Sequence, residues 1–154
     1  MLQAGLRISE VVSLDIQDVD LRRKTLTVIA GKGGKNRIAL MSPELMKAME
    51  AWIEERGEVD EKALFLSERG HSRMTRQGLH YLIKKYLDSI GLVDYSSHSL
   101  RHSFCRNLVD ANQPLQVIAQ LAGHESLETT RRYITPSEID LRRAVESISS
   151  EKEK

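Results

Sequence analysis

Three stretches of this 154-residue chain carry side chains able to do chemistry. They are His98-Ser-Leu-Arg101-His102, the turn Gly31-Lys-Gly-Gly-Lys35, and the run from Gly123-His124 to Tyr133. On a helix, Arg101 and His102 would share a face with His98, at i+3 and i+4. Two histidines at that spacing can hold a metal. The zinc-protease pattern, however, needs glutamate after the first histidine, and Ser99 stands there. A guanidinium between the two would also repel a cation. By itself the stretch reads by default as a polar helix face.

The Gly-rich turn departs from a nucleotide P-loop, because Asn36 sits where Ser or Thr is required and a strand follows. It reads as a basic hairpin turn, either plainly solvated or reaching toward phosphates. Tyr133 follows Arg131 and Arg132, and cationic neighbours favour phenolate. A lone tyrosine is more often packing. Taken together, Arg7, Lys32, His98, Arg101, His124 and Tyr133 are a different matter. Two arginines can hold the oxygens of a phosphodiester. A lysine can protonate a leaving oxygen, histidines can move protons, and a tyrosine can act as covalent nucleophile. With no carboxylate cluster suited to magnesium, these are the parts of a metal-free phosphoryl transfer onto tyrosine.

Local signals dictate the elements that must carry these residues. Ile8, Val11, Val12 and Leu14 predict a short helix capped by Ser9, marginal without packing partners. Val19–Leu21, the β-branched run 25–30 and the run 36–40 predict a small antiparallel sheet with turns at 21–24 and 31–35. Ser42-Pro43 starts a helix with Leu45, Met46, Met49, Trp52 and Ile53 on one stripe. Residues 63–67 read as a short extended piece. Thr75 caps a helix with an apolar face through Leu79, Leu82, Ile83, Tyr86, Leu87 and Ile90, stopped by Gly91. Ser97 is expected to cap the helix holding His98 and Arg101. Pro114 opens another, ended by Gly123, and Ser126 caps a short one that carries Tyr133. Thr135-Pro-Ser-Glu138 has the form of a capping box, starting a last helix that fades into a frayed tail. The fold class expected is α+β, mostly helical, with a three-stranded antiparallel sheet near the N-terminus.

Bulk properties narrow the class further. The length suits one domain with a real core. No apolar run reaches the roughly 20 residues of a membrane span, and the start lacks a signal-peptide layout. A single cysteine, Cys105, permits no internal disulfide and reads as a buried packing thiol. These features point to the cytoplasm. The formal charge is only +1, but the cations cluster, so a near-neutral total can hide a basic face.

Four motifs, GLRISEVVSL, GKGGKNR, HSLRHSF and LAGHESLETTRRYI, follow one another in an order and spacing that resembles the catalytic domain of the tyrosine recombinase (phage integrase) family. The Xer-like and transposon-integrase members are the most similar. The resemblance runs from Gly5 to about Tyr133. It implies site-specific DNA recombination, by metal-free strand cleavage and rejoining through a 3′-phosphotyrosyl intermediate, with no cofactor. Arg7 and Arg101 would clamp the phosphate, with Glu10 supporting Arg7 from behind. Lys32 would protonate the departing 5′ oxygen. His98 would pair with Arg101, His124 would bond a phosphate oxygen, and Tyr133 would attack phosphorus. His102 also matches a common family residue and is read as structural.

Lys35, Arg37, Arg73 and Arg76 are assigned to the DNA backbone. The partners implied are double-stranded DNA and, for a full-length family member, a homotetramer on DNA. Residues 1–148 would be the catalytic domain and 149–154 a disordered tail. The family's separate DNA-clamping N-terminal domain is not in this sequence, so the start resembles that of a fragment. Weak DNA binding by the chain alone is expected. Residues Ile139–Ile148 would dock on a neighbouring protomer or on their own domain. Type IB topoisomerase-like relaxation and a non-catalytic DNA-binding fragment remain the alternatives.

Overall fold

A computed structural model describes residues 1–29, 36–67, 72–124, 126–131, 133, 141–142 and 145–146. The first helix, α1 (Ile8–Ser13), has only six residues and is stabilised from outside. Arg7, in extended conformation, flanks it, and the Glu10 carboxylate accepts the Arg7 backbone N–H at 2.6 Å. The expected cap, Ser9, instead lies inside the helix. A carboxylate three residues on can satisfy an open N–H directly, and it interacts well with the positive helix end.

A 3-10 turn (Ile16–Asp18) leads into strands β1 (Val19–Asp20), β2 (Thr25–Val28) and β3 (Arg37–Leu40). They form one antiparallel sheet in the order β1-β2-β3. The register pairs Val19 with Leu26 and Val28 with Arg37. Alternation does its usual work: Leu26, Val28 and Ala39 face inward, while Ile38 and Leu40 face solvent. The chain between β2 and β3, with Lys32 and Lys35, lies outside the described residues apart from its ends.

Helix α2 (Pro43–Arg56) starts as expected, with the Ser42 hydroxyl accepting the Leu45 N–H at 3.2 Å. Met46 and Met49 close the core beneath the sheet, beside Leu6, Leu14 and Leu64. The extended piece after α2 is tied down by bridges from Ala63 to Asp15 and from Leu66 to Arg73. Helix α3 (Arg76–Ser89) is capped by Thr75, whose hydroxyl accepts the Gly78 N–H at 3.0 Å. Its apolar stripe is less buried than the periodicity suggests. Leu87 is buried, but Tyr86 is 67% exposed and Ile90 53%. Helix α3 packs on α1 and α4, which cover one side of it and leave part of the stripe uncovered among the described residues.

Helices α4 (Ser97–Asp110), α5 (Leu115–Ala122) and α6 (Leu127–Arg131) form the second half. Cys105, Ile118, Ala122 and Tyr133 make a small core among them. Gly123 ends α5 in the left-handed conformation, as its position after the last apolar residue predicts. The Ser126 hydroxyl accepts the Glu128 N–H at 3.1 Å at the start of α6. Tyr133 sits in the turn just past that helix rather than on it. The proposed capping box at 135–138, most of the C-terminal helix and the tail lie outside the described residues. Among the described residues, no helix is long and apolar enough to cross a membrane.

Candidate active site

The first site residue, Arg7, stands where the N-terminal segment meets α1. Its Nη1 pairs with Glu10 Oε1 at 3.0 Å, and its Nη2 donates to the Gly123 carbonyl at 3.2 Å. Arg101 comes from the buried side of α4, almost a hundred residues away. It donates to the carbonyl of Gly5 and lies 4.0 Å from Glu10 Oε2. Gly5 makes this approach possible. Its φ is +63°, and a Cβ there would fall 2.5 Å from the Phe104 ring. Only glycine combines that backbone with that contact at little cost. Burial, and then repulsion from Arg7, lower the Arg101 pKa, with Glu10 opposing. The guanidinium nonetheless stays charged at neutral pH.

Helix α4 does not begin as expected. Ser96, not Ser97, is the flanking residue, and the Ser99 hydroxyl accepts its backbone N–H at 3.1 Å. Ser97 is turned inward, its hydroxyl 3.0 Å from His80 Nδ1 on α3. That rotation places His98 on the exposed side of α4 and Arg101 on the buried side. His102 presents its ring edge-on to Tyr133, at a centroid distance of 4.6 Å. His124 stacks nearly parallel to Tyr133 at 6.2 Å. Tyr133, 8% exposed, is therefore set between two imidazoles.

His124 is itself anchored. Its Nδ1 lies 2.7 Å from the hydroxyl of Thr130, which is fully buried on α6. Thr130 thereby helps fix the orientation of the imidazole beside Tyr133. The structure thus brings Arg7, His98, Arg101, His102, His124 and Tyr133 around one pocket of about 270 Å³. A larger recess of about 630 Å³ shares Arg7, His98 and Arg101 and continues along α3 past Arg76, His80 and Lys84. Among the described residues, no group of three or more His, Cys, Asp or Glu stands together as a metal site.

The four residues assigned to the DNA backbone separate. Arg76, first in α3, is exposed at the larger recess. Lys35, like Lys32 of the candidate catalytic set, lies outside the described residues. Arg73 is committed to the fold: it pairs with Asp15 and donates to the carbonyls of Val12 at 2.9 Å and Leu14 at 3.2 Å. Arg37 is drawn inward to Glu10, 2.9 Å from Oε2. Both depart from the expected outward placement because nearby carboxylates and carbonyls take up their donors. Cys105 is fully buried, as its apolar neighbours suggest. Burial pushes its thiol pKa up, while Arg101 and a hydrogen bond with Tyr133 oppose this. Thr130, within the last of the four motifs, and the inward Ser97 are assigned no role at the site by the sequence, since their contacts with His124 and His80 are reached only through the fold.

Such a pocket, with two guanidiniums, three imidazoles and a phenol on a mostly helical scaffold with a three-stranded sheet, suits oxyanion chemistry at a tyrosine. The phage integrase family model matches residues 1–138, and the chain belongs to that family. It is 38% identical over 136 residues to the tyrosine recombinase XerC of Roseiflexus castenholzii, covering 84% of this chain and 43% of that protein. The tyrosine recombinase XerA of Pyrococcus horikoshii is 34% identical over 145 residues, covering 93% of this chain and 50% of that protein.

Among solved structures, the crystal structure of XerA recombinase superposes with a TM-score of 0.84 at 30% identity, covering 95% of this chain and 54% of that one. The XerH site-specific recombinase, bound to its difH substrate in a pre-cleavage complex, gives 0.74 at 28% identity, covering 94% and 43%. The chain spans about half the length of the curated relatives it matches.

Proposed function

We propose that this chain is the catalytic unit of a site-specific DNA recombinase that cuts and rejoins DNA through a tyrosyl intermediate. One observation carries the reading. Arg7 and Arg101, 94 positions apart in the sequence, converge with His98, His124 and Tyr133 on a single small pocket. The likeness to Xer recombinases supports it, as does the XerH complex with its difH substrate.

In this mechanism the two arginines and His124 hold the non-bridging oxygens of a phosphodiester. The Tyr133 Oη attacks phosphorus as the bond to the 5′ oxygen breaks. The 5′ oxygen takes up a proton, which the family pattern assigns to Lys32. Ionising a free tyrosine at pH 7 costs about 4 kcal/mol. Cations around the attacked phosphate offset part of that cost, and they hold the charge that builds in the pentacoordinate transition state. The phosphotyrosyl bond keeps the energy of the broken linkage, so a 5′ hydroxyl from the same or another strand can reverse the step.

A nicked duplex that sheds its short 5′ strand after cleavage tests the proposal. The chain should form an SDS-resistant protein–DNA adduct, and Tyr133→Phe should abolish it. Adduct formation that survives Tyr133→Phe, or an inert wild-type chain, would refute it. Transfer of the held strand to a second duplex would distinguish exchange from simple relaxation.

A further inference from the structure

We infer that Arg37 is a positioning residue: it clamps the turn carrying His124 onto the same carboxylate that orients Arg7. This rests on the reading proposed above. Arg37 opens β3, the strand that leaves the basic turn, and its side chain runs inward rather than toward a ligand. Nη2 lies 2.9 Å from Glu10 Oε2, and the side chain is only 17% exposed. Nη1 is buried too and finds no hydrogen-bond partner among the described residues. Arg101 is buried as deeply, but it lines the pocket with Arg7, His124 and Tyr133, and Arg37 does not.

The second contact is with Gly123. A Cβ on that glycine would fall 2.3 Å from Arg37 Nε and 2.7 Å from its Cδ. The stem and head of Arg37 therefore lie directly against the backbone that precedes His124. On the same residue, the Gly123 carbonyl accepts Nη2 of Arg7 at 3.2 Å. One glycine is thus held by two arginines, and Glu10 joins both of them. Glu10 fixes the Arg7 guanidinium, while Arg37 fixes Glu10 and the approach to His124. Loss of Arg37 would release two proposed phosphate ligands from their common frame without removing a donor from the phosphate.

Lysine cannot fully replace it. Its point charge on a flexible stem could reach Glu10, but it has no planar group to lie on Gly123 while doing so. The role accounts for arginine at this position and glycine at 123 with one contact.

Single-turnover cleavage of the nicked duplex by the wild-type chain, Arg37→Gln and Arg37→Lys tests this, alongside the salt dependence of DNA binding. Arg37→Gln should slow cleavage at saturating protein about tenfold to a hundredfold, as misplacement of catalytic groups does. The half-saturating concentration should stay within about twofold, as for a loss confined to the transition state. The salt slope should be unchanged, and Arg37→Lys should recover part of the rate. An unchanged saturating rate would overturn the inference. So would a salt slope shallower by about 0.9, the signature of one lost phosphate contact.

Should Arg37→Gln fail to fold, Arg37→Lys decides by the saturating rate alone: a rate below wild type supports the inference, and an unchanged rate overturns it. If the wild-type chain forms no adduct, the proposed function fails separately. The inference then stands on an unchanged salt slope together with non-additive melting shifts for Glu10→Gln and Arg37→Gln, and falls if those shifts add.

Discussion

Thr130 shows how much a single hydroxyl can govern. It is fully buried and meets His124 Nδ1 at 2.7 Å, so it helps hold the imidazole in place beside Tyr133. Thr130→Val keeps the shape and removes the hydroxyl. Stability should fall by about 1 kcal/mol, the worth of one buried hydrogen bond. The rate of adduct formation should fall about tenfold, less than the roughly hundredfold expected for deleting a whole donor. Thermal melts and the nicked-substrate assay read the two effects separately, and an unchanged rate would show that His124 needs no such anchor. The catalytic candidates themselves were legible from residue type and order. What was not legible is what each one touches. Thr130, which meets His124, sits six residues away on α6, and Arg37 meets Glu10 across 27 residues of sequence. Motifs name groups that react; they say little about the groups that hold those in place.

At the scale of elements, local signals served well wherever the physics is local. Ser42 and Thr75 as caps, and Gly123 as the stop of α5, depend on bonds within one turn. They failed where packing chooses between equivalent neighbours. Either Ser96 or Ser97 could precede α4, and the hydrogen bond of Ser97 to His80 settles the choice. Arg73 is the other case. Read as a surface cation, it in fact fastens the loop before α3 to the end of α1 through Asp15. This pair has a pH signature. The Asp15 carboxyl is lowered from its ordinary value of 3.8, first by the hydrogen bond from Arg73. A depressed folded-state pKa gives stability that is present above the unfolded value and lost as pH falls through the folded one. The melting temperature should therefore drop on acidification below about pH 4, where free carboxylates protonate. Asp15→Asn should be less stable at pH 7 by about 2 kcal/mol or more, as for a broken, partly buried ion pair. It should also lose less stability than the wild type between pH 5 and pH 2, in the range of ordinary carboxylate titration. Equal acid sensitivity in both proteins would assign the effect to other carboxylates.

Across the whole molecule, charge is arranged rather than abundant. A net +1 conceals a line of cations that runs from Arg7 and Arg101 along α3 to Arg76 and Lys84. DNA binding through this face should weaken with salt, and each phosphate contact removed should flatten the log–log slope by about 0.9. Arg76→Ala is expected to do so, whereas Arg37→Gln is not. The pair of titrations separates a cation that meets the ligand from one that braces the site, and identical slopes for both variants would leave that division unsupported. The fold class, the order of helices and the three-stranded sheet were all readable from periodicity and turn chemistry. The convergence of remote arginines was readable only through the family resemblance, because it depends on the tertiary path of the chain.

Glu10 receives guanidinium groups that arrive from residues 7, 37 and 101. No contiguous half of the polypeptide owns all of them. A chain severed anywhere between β3 and α4 would yield two pieces, each with cations lacking their shared counter-ion or their companions. Co-expressed fragments would regain the cluster only by docking correctly, so the carboxylate acts as a built-in check that the two halves have assembled in register.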